Sequence, residues 1–225
     1  MSLNVAKGNM YDFVTHTWNT IKGACPHDCS YCYMKRFRNQ KPVRFDAKEL
    51  KTDLGEGNFI FVGSSCDMFA DKICNSWISE TLGKCRESSN RFLFQSKSPE
   101  RMAIWSGGFP EDSVVCTTIE TNRFYDQIMR KSPTPETRAF YLGEYLSAYR
   151  RFVTIEPIMD FDLGPMVELI KRCNPEQVNI GADSGNNHLP EPSLDKIMEL
   201  VEALSRFTTV AKKRNLTRLE PKASA

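Results

Sequence analysis

The chain has 225 residues, 40% of them hydrophobic and 26% charged, with a formal net charge of +2. That is enough chain for one large domain or two small ones of ordinary globular composition, and the near-zero balance excludes a global field that would draw the protein onto nucleic acid or an anionic membrane. No apolar run is long enough to span a bilayer and no basic start leads into an apolar signal centre, so a cytoplasmic location is expected, where the eight cysteines point to metal ligands, nucleophiles or core thiols and not to a disulfide framework.

In chain order, residues 17–21 form a β-branched and aromatic run that leads straight into G-A-C-P-H-D-C-S-Y-C-Y-M (23–34). The basic stretch K-R-F-R-N-Q-K-P-V-R (35–44) follows and reads as a solvated surface, as does K-K-R (212–214). Residues 59–63 are continuously apolar, as a strand covered on both faces would be. Residues 71–87 have helical spacing, with Ile73, Trp77, Ile78 and Leu82 near one face. Residues 91–95 predict a strand, 99–105 a helix with Ser98 as N-cap, and 114–119 a strand. A helix over 135–149 opens with Thr134 and Pro135. It is followed by a strand over 152–155, a helix over 163–173 ended by Asn174-Pro175, a strand over 177–181, a helix over 194–207 and a last strand near 208–211.

Strand and helix thus alternate about six times, which predicts βαβ units and a parallel sheet without a linker, a single domain over 1–225 with its core at about 11–212. A complete eight-unit barrel takes ~250 residues, so an α/β partial (β/α)6 barrel is expected, with a doubly wound open sheet as its competitor. In either architecture function gathers at the C-terminal strand ends. The polar residues there are the cysteine loop, Gly63-Ser64-Ser65-Cys66-Asp67, Gln95-Ser96-Lys97, Glu120-Thr121-Asn122, Glu156-Pro157 and Gly181-Ala182-Asp183-Ser184-Gly185.

Cys25, Cys29 and Cys32 fall within eight residues. A structural zinc closes with four ligands, and nearby only His27 could be the fourth. A four-iron cluster held by three thiolates keeps one iron open for a substrate or cofactor.

The run Cys25-Pro-His-Asp-Cys29-Ser-Tyr31-Cys32 resembles the C-x-x-x-C-x-aromatic-C signature of the radical S-adenosylmethionine (SAM) superfamily. Together with T-W-N-T-I-K-G-A-C-P-H-D-C-S-Y-C-Y, T-T-I-E-T and N-I-G-A-D-S-G, the layout is similar to a phage- and prokaryote-associated radical SAM group. A likeness confined to the cysteine loop and overall plan is to spore photoproduct lyase, a DNA-repair enzyme. The resemblance implies a partial (β/α)6 barrel with a 4Fe–4S cluster on Cys25, Cys29 and Cys32, whose open iron chelates SAM. It further implies reductive cleavage of SAM to a 5′-deoxyadenosyl radical, oxygen sensitivity, and a reductant such as flavodoxin or ferredoxin. Tyr31 would lie against the adenine. Gly63, Ser64 and Ser65 stand where the family has Gly-Gly-Glu for the methionine amino group, with Asp67 two residues on. Lys97 would meet the carboxylate, and Thr118 and Glu120 the ribose. Glu156 and Asp183 would touch substrate or SAM, the alternative being an ion pair with Arg123 or Arg138.

Cys66 is a candidate hydrogen donor to a substrate radical; Cys74, Cys85, Cys116 and Cys173 read as core thiols. His27 would tune or shield the cluster. The competing functions are an electron-transfer protein with a three-cysteine zinc or iron–sulfur site, and a nucleic-acid-binding module using residues 35–44. With no large capping segment in sight, the open side of the barrel is expected to be covered by a macromolecular substrate (nucleic acid or protein) or by the chain's own tail and loops.

Overall fold

The computed structural model describes residues 3–37 and 39–219, so Arg38 of the basic stretch lies outside the described residues. The strands are β1 (Asn4–Val5), β2 (His16–Trp18), β3 (Ile21–Lys22), β4 (Arg44–Phe45), β5 (Phe59–Val62), β6 (Arg91–Gln95), β7 (Val114–Thr118), β8 (Arg150–Ile155), β9 (Gln177–Ile180) and β10 (Thr209–Lys212). The helices are α1 (Asn75–Arg86), α2 (Pro99–Ile104), α3 (Asp126–Met129), α4 (Pro135–Tyr145), α5 (Leu163–Cys173) and α6 (Leu194–Ser205).

The main sheet runs β1-β2-β5-β6-β7-β8-β9-β10. From β2 to β10 every pairing is parallel and follows chain order; β1 is antiparallel to β2. A doubly wound sheet would reverse its strand order at a switch point. This one does not, and its two edges stay unpaired with each other. The result is an open partial barrel in one α/β domain.

Alternation along the strands explains their unbroken apolar runs. Ile60, Val62, Phe92, Phe94, Val115, Val153, Ile155, Val178 and Ile180 join the large core shared with the helices. The intervening Phe59, Phe61, Leu93, Val114, Cys116 and Phe152 point the other way, into a second cluster plugged by Tyr11 and Val14. Both strand faces are therefore dry, as parallel sheets require. Helices α4 and α5 approach so closely that a β-carbon on Gly143 would lie 2.2 Å from the Arg172 carbonyl oxygen.

Several expectations are corrected. The run 17–21 is split, because β2 continues the barrel while β3 turns away to pair with β4. Helix α1 starts at Asn75, since the turn before it holds Lys72 at φ 70°. Helix α4 ends at Tyr145, with β8 already beginning at Arg150. Thr134 caps α4 by accepting from the Thr137 amide at 3.2 Å. Ser98 stands at the cap of α2 with no side-chain capping bond. Asn174 ends α5 in the left-handed region, as its sequence predicts. Among the described residues no helix is long and apolar enough to cross a membrane.

Candidate active site

A cavity of about 540 Å³ opens over the C-terminal ends of the parallel strands. The loop after β2 supplies Cys25, His27, Cys29, Tyr31 and Cys32 to its wall; β5 is followed there by Gly63, Ser64 and Asp67. Strands β6 to β9 contribute Gln95 to Lys97, Thr118, Thr154 with Glu156, and Ala182 to Gly185. The N-terminal segment adds Asn9 and Tyr11, and Lys213 enters after β10.

The cysteine loop is held by backbone turns, Asp28 N–H to Cys25 O at 3.1 Å and Cys32 N–H to Cys29 O at 3.3 Å, with Asp28 at φ 54°. The short helix α3, absent from the sequence expectation, braces it: Ser30 N–H reaches Ile128 O at 2.9 Å and Lys131 N–H reaches His27 O at 3.2 Å. The Asp28 carboxylate is clamped by Lys35 at 2.6 Å and Arg130 at 2.7 Å.

The three thiols sit in different surroundings. Ser132 Oγ lies 3.2 Å from Cys29 Sγ, both buried. The neighbouring Cys66 thiol lowers Cys25 to about 6, against the burial that would raise it, while Cys66 itself is raised. The Met34 amide faces Cys32, whose thiol is nonetheless raised by burial. Among the described residues no three His, Cys, Asp or Glu side chains are placed to hold a single metal ion. A mononuclear zinc needs its ligands to converge on one point; a four-iron cluster takes each thiolate on a different iron, so its ligands stand around a volume. Three soft thiols line one cavity wall, the donor type that zinc and iron–sulfur centres share.

Asp67 is the hub behind the loop. Its Oδ2 accepts from His27 Nε2 at 2.8 Å, Ser96 Oγ at 2.9 Å and the Lys97 amide at 2.8 Å, and its Oδ1 from the Phe69 amide at 3.0 Å. Burial alone would raise this carboxyl, but His27 and these donors keep it below its usual value, and Asp67 in turn raises His27 against burial. With its oxygens so occupied, Asp67 is a brace for His27 and not a free acceptor for an ammonium group.

A second buried network underlies Tyr31. Arg138 Nη1 donates to Glu120 Oε2 at 2.6 Å, and both side chains are fully buried. Tyr31 Oη donates to Glu120 Oε1, and Lys97 Nζ stands 3.4 Å from the same oxygen and 5.1 Å over the Tyr31 ring. Burial would push Glu120 up, but Arg138 and Lys97 outweigh it and hold it at about 2. Burial and the neighbouring carboxylate keep the Tyr31 phenol protonated, well above its ordinary value.

Across the cavity, Glu156 Oε1 accepts from Asn9 Nδ2 at 2.6 Å and Asn215 Nδ2 at 2.7 Å, and Oε2 from Lys213 Nζ at 2.6 Å. Lys213 also sits 4.3 Å over the Tyr11 ring. Asn215 further reaches Ala182 O at 2.6 Å and Ser184 Oγ at 2.8 Å, and its amide N–H bonds Asn9 Oδ1 at 3.2 Å. The N-terminal segment and the segment after β10 are thereby stitched across the barrel's open seam. A β-carbon on Gly181 would lie 2.7 Å from Glu156 Oε1 and 2.8 Å from Asn215 Oδ1, so only glycine admits this network.

The cavity gathers Cys25, Cys29, Cys32, Tyr31, Gly63, Ser64, Lys97, Thr118, Glu156 and Asp183. Four expectations change. Glu120 does not line the cavity; its carboxylate is the buried partner of Arg138, which takes it away from any ribose. Ser65 is not among the cavity-lining residues, and its backbone amide donates to Asn19 Oδ1 at 2.9 Å. Cys66 is buried beside Cys25 and is not among the cavity-lining residues, which gives the hydrogen-donor role no support here. Cys74 is exposed at the start of α1 and is no core thiol, unlike Cys85, Cys116 and Cys173. Asp183 faces the cavity but caps its own loop, accepting from Gly185 N at 2.8 Å and Asn187 Nδ2 at 2.6 Å. Neither arginine pairs with Glu156 or Asp183: Arg138 holds Glu120, and Arg123 bridges Asp160 and Asp162. Sequence reading missed Asn9, Tyr11, Ser132, Asn215 and Lys213; the last stood in a stretch expected to be solvated, yet its side chain is 9% exposed.

No family model and no curated protein matches the chain by sequence. Solved structures match by shape. A mutant of spore photoproduct lyase with bound AdoMet and dinucleoside spore photoproduct superposes with TM-score 0.62 at 9% identity, over 95% of this chain and 76% of that one. The chain shares the open partial-barrel fold of that enzyme. Methylornithine synthase (PylB) matches with TM-score 0.56 at 13% identity over 86% of this chain and 63% of its own. Streptococcus suis SuiB bound to S-adenosylmethionine gives 0.56 at 9% identity over 93% and 53%. In this chain the cysteine loop occupies the end of the first parallel strand, β2.

Proposed function

We propose that the chain is a radical SAM enzyme whose Cys25, Cys29 and Cys32 hold a 4Fe–4S cluster at the mouth of the barrel. One observation carries the reading: three thiols line one wall of a strand-end cavity whose opposite wall is polar and dry at its base. The size of that cavity is in the range of small-molecule sites. When bound, such a cluster supplies one electron that cleaves SAM to methionine and a 5′-deoxyadenosyl radical, which abstracts hydrogen from a substrate.

The chain's own residues bind and orient. Tyr31, its phenol held by Glu120 and its ring under Lys97, offers a fixed aromatic face beside Cys32. The Ser64 hydroxyl and the backbone of the Gly63 turn accept from an ammonium group, and the Lys97 ammonium meets a carboxylate. Thr118 and Gln95, bonded to each other at 3.0 Å, present hydroxyl and amide groups to a ribose. Glu156 and Lys213 form the wall nearest the stitched seam. Apolar packing beneath Tyr11 keeps water from the base of the cavity. A low-potential protein such as flavodoxin or ferredoxin supplies the electron, and the enzyme is oxygen-sensitive.

Anaerobic reconstitution with iron and sulfide tests the reading. The expected product is a brown protein with about four irons that releases 5′-deoxyadenosine on addition of dithionite and SAM; Cys25→Ala, Cys29→Ala and Cys32→Ala each lose colour and release. A colourless protein with one bound zinc and no acid-labile sulfide would overturn it.

A further inference from the structure

The segment that follows the third cysteine carries more chemistry than the cavity uses. Residues 33–45 contain no Asp or Glu. Lys35, Arg36, Lys41 and Arg44 are all exposed, and between them stand two of the most exposed aromatic rings of the protein, Tyr33 at 50% and Phe37 at 63%. Tyr33 is fixed at the cavity mouth by its hydroxyl, which donates to Ser64 O at 2.8 Å. Arg36 donates to the Ser184 carbonyl across the seam. Lys35 and Arg36 line the main cavity and a smaller one of about 180 Å³ beside it, whose other wall is Gly185 and Asn187. One strip of alternating cations and aromatic faces thus runs from the outer surface to the cavity wall that bears Cys32.

We propose that this strip binds single-stranded nucleic acid and feeds one nucleotide of it into the cavity, an inference that rests on the radical SAM reading for what happens to that nucleotide. Cations attract phosphates without regard to sequence. Exposed rings among them add stacking on unpaired bases; an acidic peptide would use the cations and leave the rings in water. Among its described residues the segment holds only the short turn Tyr33–Arg36 and the two-residue strand β4, neither long enough to be read into a major groove as a recognition element, and paired, stacked bases offer the rings no face. The cavity is the size of a small-molecule site, so it takes a single unit turned out of the strand.

The test is fluorescence anisotropy on the reconstituted protein, with a fluorescein-labelled mixed-sequence oligonucleotide as single-stranded DNA, as RNA and as duplex, and with polyglutamate as competitor. Single strands are expected to bind, weakening roughly 50-fold between about 50 and 200 mM salt if four phosphates are contacted. Phe37→Ala should weaken binding at least about fivefold at every salt concentration. Lys41→Glu and Arg44→Glu should each flatten the salt dependence by about one phosphate's worth. Tighter binding of the duplex, displacement by polyglutamate at equal charge, or indifference to these three substitutions overturns the proposal. Release of 5′-deoxyadenosine is read on the same wild-type preparation: release without oligonucleotide binding overturns this inference alone, and binding without release overturns the radical SAM reading alone.

Discussion

Glu120 carries a full negative charge into a site with no exposure, and its stability depends on Arg138. Removing one partner of a buried pair leaves the other uncompensated, at about 3–5 kcal/mol, so Glu120→Gln should lose that much in urea unfolding at neutral pH. Because the folded carboxyl is depressed from the usual 4.5 to about 2, its contribution is complete above the unfolded value and fades as pH falls from about 4.5 to 2. The gap between wild type and Glu120→Gln should close over that window; a gap of constant size would mean the charge is not the cause. Ser132 makes a subtler contribution. In the proposed cluster, a Ser132 hydroxyl donating to the Cys29 thiolate would stabilise the reduced, more negative state. Ser132→Ala should therefore lower its midpoint potential by tens of millivolts, 59 mV being about tenfold in the one-electron equilibrium. An EPR-monitored redox titration reads this directly, and an unmoved potential would assign Ser132 to packing alone.

At the scale of elements, what sequence could show depended on how local the cause was. Strands β5 to β9 were legible because both faces are buried and the residues are apolar throughout. The cysteine loop was legible as a unit because its three cysteines lie within eight residues. Helix α3 was not, since four residues, Asp-Gln-Ile-Met, carry no periodicity and fold as they do only under the cysteine loop. Nor was the Glu156 network, because Asn9 and Asn215 meet over a separation of 206 residues, and polar residues in terminal segments look alike whether solvated or enclosed. Lys213 shows the same gap: its partner Glu156 is 57 residues away. The network is also where the elements are most exposed to a single change. Asn215→Ala removes the bonds to Glu156, Ala182 and Ser184 and leaves a part-buried carboxylate short of donors, at about 1–3 kcal/mol. Hydrogen exchange should accelerate in residues 6–14 and 213–219 while β5 to β9 stay protected; uniform acceleration would contradict a local role.

At the scale of the whole molecule, the open barrel has one cavity wall built from residues adjacent in chain order and another that exists only when the two ends of the sheet are brought together. A ligand lying between those walls stabilises the closed form by mass action. With the cluster in place, SAM at a hundredfold excess over its dissociation constant should add about 2.7 kcal/mol, which for a chain of this size raises the melting temperature by roughly 5–10 °C. No shift in the reconstituted protein, with a shift in none of the cysteine variants either, would remove SAM from the cavity. The same geometry separates two events in time. Neighbouring strands pair over short stretches of chain, and Trp18, 1% exposed, is enclosed as soon as β2 meets β5. The stitch from Asn9 to Asn215 must wait until seven parallel strands are aligned, since contacts of long sequence separation form late. A chain refolding from denaturant, with Trp77 and Trp105 of its three tryptophans replaced by Phe so that Trp18 alone reports, therefore changes its tryptophan emission well before it can retain a guest molecule, and the interval between the two signals is the time taken to draw the seam shut.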